Sequence, residues 1–122
     1  MNTISIATAC VFGLLAVIFG AFGAHALKKV MNEEQLKSYE TGVKYQMYHA
    51  LVLLVVGIEA PLLYSPFIYW CFTLGIIFFS FSIYGLTFTG ALGKKWRWLG
   101  PVTPIGGMLF VTGWLLMLLQ VA

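Results

Sequence analysis

Apolar residues do not alternate along this chain, nor do they recur at a helical period against a polar face. They come in long runs broken by short polar stretches. Four runs are long enough to cross about 30 Å of hydrocarbon at about 1.5 Å per residue: residues 4–27, 45–64, 67–91 and 102–121. The expected fold class is therefore an all-α membrane protein, four transmembrane helices in an antiparallel bundle forming a single domain over residues 1–122. Barrel strands would be shorter and alternating. Ala24-His25-Ala26 has the form of a signal-peptidase site, but no basic residue precedes the first run and the run is long for a signal core, so it is expected to stay as a span.

Between the first two runs, residues 32–44 change period. Asn32 and Gln35 stand in capping-box positions, Glu33–Lys37 and Glu40–Lys44 are acid-first pairs four apart, and Leu36, Tyr39 and Val43 share one face. This pattern predicts a short amphipathic helix lying in the cytoplasmic interface, with Gly42 as a kink into the second span. The second polar stretch carries Trp96 and Trp98 beside Lys95 and Arg97, a combination that anchors chains at headgroup level. Pro101 and Pro104 suit the opening turn of the last helix.

Composition supports the membrane reading, with 61% hydrophobic and 9% charged residues, against about 25% charged in soluble domains. All seven basic side chains fall between spans one and two (Lys28, Lys29, Lys37, Lys44) or three and four (Lys94, Lys95, Arg97). The net charge of +3 is thus a topology signal and no nucleic-acid partner is expected. The positive-inside rule places both basic stretches in the cytoplasm and both termini outside, in an inner (plasma) membrane.

Helices in lipid associate through close backbone approach at small residues. Ala9, Gly13, Ala16, Gly20 and Gly23 form an unbroken small stripe on the first helix, and Gly106, Gly107 and Gly113 recur on the fourth. These positions are expected to pack the bundle; the alternative makes the first stripe a dimer seam, and the expected partners are the lipid bilayer and either further copies in a homo-oligomer or a membrane-complex partner.

Polar residues inside spans are candidates for function because they are costly in lipid. His25 lies three residues before Lys28 and His49 five after Lys44, which puts each within about 8 Å of the cytoplasmic interface and at similar depth on adjacent helices. Such a pair could hold a haem iron or another metal, bind a quinone, or contact a headgroup. Zinc would want a third ligand, for which Glu40 is the sole nearby candidate. Tyr45 shares a face with His49, next to Gln46. Glu59, the one acid in a span, lies too near the outer end for a proton-coupled transport site. Cys10 and Cys71 match no metal spacing, and either pair or remain free thiols. No nucleophile–base–acid set and no phosphate loop is present, so no enzymatic activity is expected.

Four motifs in order resemble one family of small bacterial inner-membrane proteins, the domain-of-unknown-function family 423: Gly20-Ala21-Phe22-Gly23-Ala24-His25, Tyr45-Gln46-Met47-Tyr48-His49, Phe79-Ser80-Phe81-Ser82-Ile83-Tyr84, and Thr103-Pro104-Ile105-Gly106-Gly107 with Gly113-Trp114 after it. Phe81 stands where that family usually has glycine, and Tyr39 where tryptophan is expected. The resemblance implies the four-helix topology and marks His25, Tyr45, Gln46, His49, Thr103 and Pro104 as motif residues. It implies no reaction. The leading expectation is a non-enzymatic accessory, scaffold or lipid-interacting bundle without a resident cofactor and with a polar site at its cytoplasmic end. The alternatives are a small oligomeric transporter or channel, and a redox accessory holding haem or quinone at His25 and His49.

Overall fold

A computed structural model describes all residues from Met1 to Ala122. Helix α1 (Thr3–Ala24) opens on Asn2, whose side chain accepts the Ser5 N–H at 2.9 Å. A 3-10 turn (Ala26–Lys29) leads to α2 (Glu33–Ile58). The expected capping box is formed: Asn32 Oδ1 accepts from Gln35 N, and Gln35 Oε1 accepts from Asn32 N. A single turn, α3 (Ala60–Leu63), precedes α4 (Pro66–Ile76), which passes through a π-helical turn (Ile77–Phe81) into α5 (Ser82–Ala91). Gly93, at φ +80°, reverses the chain where an L side chain would be strained. A 3-10 turn (Arg97–Leu99) then feeds α6 (Val102–Val121). Four segments, Thr3–Lys29, Glu33–Ile58, Pro66–Ala91 and Arg97–Val121, are long and apolar enough to cross a membrane.

The amphipathic stretch is helical as expected, but it is not a separate helix lying flat. Residues 33–44 are the first turns of α2 and run unbroken through position 45 into the span. Tyr39 shows why. It is fully buried, its ring fills the space beside Gly23, and its hydroxyl donates to the Phe19 carbonyl at 2.5 Å. The first turns of α2 are thus packed upright against the last turns of α1. Gly42 does not interrupt the helix; its missing side chain makes room for Tyr84 and Ile83. The charges read as the outer face of a horizontal helix, Lys37, Glu40 and Lys44, are exposed along the upright one. A lysine at such a place reaches the interface along its own methylene stem.

α2 and the α4–α5 rod form the inner pair. α1 packs on α2, and α6 packs on the rod. Leu53, Val56, Ile68, Phe72 and Ile76, on the inner helices, have no exposed surface, and a second cluster of Leu27, Met31, Tyr39 and Tyr84 closes the end with the basic loops. The packing stripes behave largely as expected. Ala9, Ala16 and Gly23 are buried on α1, while Gly20 makes ordinary contact with Val43. Gly13 departs from the pattern, with nothing close to it. On α6, Gly113 accepts the Phe72 ring and Gly106 lies directly on the backbone of Phe78 and Phe79, within the π-helical turn; Gly107 is peripheral.

One side chain joins three helices. Gln46 has no exposed surface; its Nε2 donates to the Phe12 carbonyl of α1 at 2.8 Å, and its Oε1 accepts from the Tyr84 hydroxyl of α5 at 2.7 Å. Nearby, Ser80 donates to the Gly42 carbonyl at 2.7 Å. At the opposite end, Ser5 donates to the Leu53 carbonyl, and the Thr8 and Tyr69 hydroxyls meet at 2.7 Å.

This packing makes three stability predictions. Gly106→Ala forces apart two backbones already in contact and should cost about 1–3 kcal/mol, seen as a lowered unfolding midpoint in mild detergent. Gly13→Ala, on open space within a helix, should leave the midpoint unchanged or raise it. A double-mutant cycle between Gln46→Leu and Tyr84→Phe should give a coupling of about 0.5–2 kcal/mol; additive effects would show that the hydrogen bond contributes nothing to the bundle.

Candidate functional site

The structure disperses the expected polar cluster. The Gln46 and Tyr39 bonds set α1 residues 12 and 19 level with α2 residues 46 and 39. His49 is therefore level with Ala9, whereas His25 is the exposed C-cap of α1. The two histidines lie about 24 Å apart along the bundle axis at helical rise, not at similar depth. A single haem, quinone or metal held by both within one chain does not fit this geometry.

His49 is also fully engaged. Its Nδ1 lies 2.8 Å from the Tyr45 carbonyl and its Nε2 lies 3.2 Å from the Trp114 indole nitrogen. A carbonyl only accepts and an indole N–H only donates, so the proton sits on Nδ1 and the lone pair on Nε2. The ring stacks on Phe110 at 3.7 Å, with 5° between the planes. Both nitrogens and one ring face are thus committed to packing. Tyr45 joins the same aromatic cluster, 5.0 Å from Phe79. Gln46 is the clamp already described. Glu59 is the exposed C-cap of α2, and Cys10 and Cys71 are free. No three His, Cys, Asp or Glu side chains gather closely enough to hold a metal ion.

The remaining two motif residues, Thr103 and Pro104, do line a site. The Ser82 and Thr103 hydroxyls meet at 2.5 Å, which sets the start of α6 level with the start of α5. α5 continues to Ala91, about 13 Å farther at helical rise, and α2 continues to Glu33 beside it. The connecting segment folds back down α5: the Trp96 N–H donates to Thr89 Oγ1 at 3.1 Å, and Leu99 occupies the space left by Gly85. A groove of about 590 Å³ is left above α6, between α2 and α5.

Gln35, Ser38 and Thr41 line it from α2, Ile83, Thr87 and Gly90 from α5, and Lys95 and Gly100 from the connection. Only two of its thirteen lining residues, Ile83 and Leu86, are hydrophobic, which sets the groove apart from the rest of this apolar surface. Much of the polar lining is already satisfied internally. Thr41 donates to Lys37 O, Thr87 to Ile83 O, and the Gln35 carbonyl oxygen is held by the helix cap. The Ser38 hydroxyl, the Gln35 NH2 and the charges of Glu34 and Lys95 have no partner within the chain. Trp96 and Trp98, exposed and stacked with centroids 6.1 Å apart, stand beside it. Tryptophans of this kind mark headgroup level.

The sequence reading does not reach the α2 and α5 lining, because it lays residues 32–44 flat in the interface and so turns their polar side chains away from the bundle. The available signal was the spacing of Gln35, Ser38 and Thr41, a polar stripe at every third residue distinct from the charged face.

Residues 19–107 match the family described as "Protein of unknown function (DUF423)", a stretch that contains every residue lining the groove. The chain is 38% identical over 109 residues to a UPF0382 membrane protein of Staphylococcus haemolyticus, covering 88% of this chain and 85% of that one. It is 40% identical over 108 residues to a UPF0382 membrane protein of Staphylococcus saprophyticus, covering 87% and 86%. It is 36% identical over 113 residues to the UPF0382 inner membrane protein YgdD of Escherichia coli, covering 90% and 82%. No solved structure matches it. With four spanning helices and relatives matched over most of both chains, this chain belongs to the DUF423 family of membrane proteins.

Proposed function

We propose that the chain is a non-enzymatic, lipid-interacting bundle of the inner membrane that receives a polar headgroup in the groove above α6, at its cytoplasmic end. The observation that carries this reading is the groove itself, a polar recess of about 590 Å³ in an apolar molecule, beside a tryptophan pair at headgroup level. A volume of this size is within the range of about 300–1,000 Å³ usual for small-molecule sites. The orientation rests on charge. Lys28, Lys29, Lys94, Lys95 and Arg97 lie in the connections at the groove end, and the opposite end has no basic side chain. The positive-inside rule then turns the groove towards the cytoplasm and leaves both termini outside.

Two measurements test the reading. A reporter active only outside the cytoplasm should be active when fused after Ala122 and inactive when inserted at Gly93; the reverse pattern would refute the orientation. A fluorophore at Ser38→Cys, with Cys10 and Cys71 replaced by alanine, should be quenched by lipids brominated near the headgroup more than by lipids brominated at the chain ends. Quenching by aqueous iodide alone would make the groove a water-filled recess and end the lipid reading.

A further inference from the structure

We infer that the groove selects a zwitterionic phospholipid whose phosphodiester is followed by a primary ammonium, as in a phosphoethanolamine headgroup. This rests on the groove being a headgroup site, and deepens that reading. The lining carries one cation, Lys95, and one acid, Glu34, so its formal charge is zero. An anionic headgroup could use Lys95 but would leave the Glu34 carboxylate beside it without a partner. A charge-separated but neutral headgroup uses both: Lys95, with the Ser38 hydroxyl and the Gln35 NH2, donates to the phosphate oxygens, and Glu34 accepts from the ammonium.

Two further features narrow the class. None of the lining residues is aromatic. A quaternary ammonium has no N–H to give Glu34 and is normally held by aromatic faces, so choline is poorly served and a primary ammonium is well served. The groove also ends on Pro104, and Ile105 and Met108 continue down α6 as exposed apolar surface. Acyl chains attached to a seated headgroup would follow that face into the bilayer, which favours the lipid over a soluble phosphoethanolamine ester of the same chemistry.

The test uses the full chain in neutral detergent, with retained lipid counted by native mass spectrometry against equal concentrations of phosphatidylethanolamine, phosphatidylcholine and phosphatidylglycerol. The wild type should retain phosphatidylethanolamine about tenfold over either competitor, the size expected for one charge-assisted hydrogen bond. Glu34→Gln should remove that preference and raise phosphatidylglycerol. Lys95→Gln should weaken all three lipids and leave diacylglycerol unaffected. Ser38→Trp, which fills the groove, should abolish selective retention while keeping the wild-type unfolding midpoint. Equal retention of all headgroups, unchanged in Glu34→Gln but lost in Ser38→Trp, would overturn the headgroup assignment and leave a lipid groove. Retention unaltered by Ser38→Trp would overturn both. Glycerophosphoethanolamine binding as tightly as the intact lipid would move the site to a soluble ligand and overturn the lipid form of the inference.

Discussion

A carboxamide buried among helices in hydrocarbon has no water to turn to, so its partners must come from protein. Gln46 meets that constraint by reaching the Phe12 carbonyl on one side and the Tyr84 hydroxyl on the other. The consequence is positional. Apolar packing between lipid-facing helices tolerates sliding, because lipid tails are as apolar as leucine. A side chain that must satisfy two fixed atoms does not. With Tyr39 on Phe19 and Ser5 on Leu53, Gln46 fixes the register of α1 against α2 from one end to the other. That register holds residues 33–44 upright beside α1 instead of flat in the interface.

The register of the other pair produces the groove. Gly106 admits the backbone of Phe78 and Phe79, Gly75 admits the Phe110 ring, Gly113 admits the Phe72 ring, and Ser82 meets Thr103. All four contacts describe one antiparallel alignment of α6 on the α4–α5 rod. It seats α6 low, so that its first turn reaches only the start of α5. The fourth corner of the bundle is therefore empty at the basic end. The polar side chains of α2 and α5 that would otherwise face a helix face the recess instead. The π-helical turn lies at the same level, where the rod meets Gly106, so a close backbone contact lies just beneath the recess.

The sequence carried more of the fold than of the site, for a physical reason. Span lengths, the Asn32–Gln35 cap, the basic loops and the tryptophan pair are local or compositional signals, and each was readable. Depth is not local. His25 and His49 seem level when each is measured from its nearest lysine, but that measure assumes both lysines sit at the interface. Lys44 does not: it is level with the middle of α1 and extends from an exposed face. The same assumption turned residues 33–44 on their side. The six motif residues do not share one pocket. Gln46 instead clamps helices, Tyr45 and His49 pack against Phe79, Phe110 and Trp114, His25 ends a helix, and only Thr103 and Pro104 line the recess.

The exposed charges of α2 bear on the proposed placement of the groove in the bilayer. Lys37 and Lys44 stand on the face of α2 turned away from α1 and the rod. Their depth is tolerable only if the stems run up towards the headgroups. Under the proposed reading the headgroup level lies near the first turns of α2, and Trp96 and Trp98, folded back along α5 by the Thr89 and Gly85 contacts, are the side chains expected at that level. The recess lies between these two markers. A polar groove buried at midplane would need its own water or an occupant to satisfy it. At headgroup level, as proposed, its free hydroxyl and amide and the opposite charges of Glu34 and Lys95 would face the one layer of the bilayer that supplies matching groups. The low seat of α6 and the upright start of α2 thus act together: one opens the space, and the other lines it with the polar side chains that the proposed headgroup would meet.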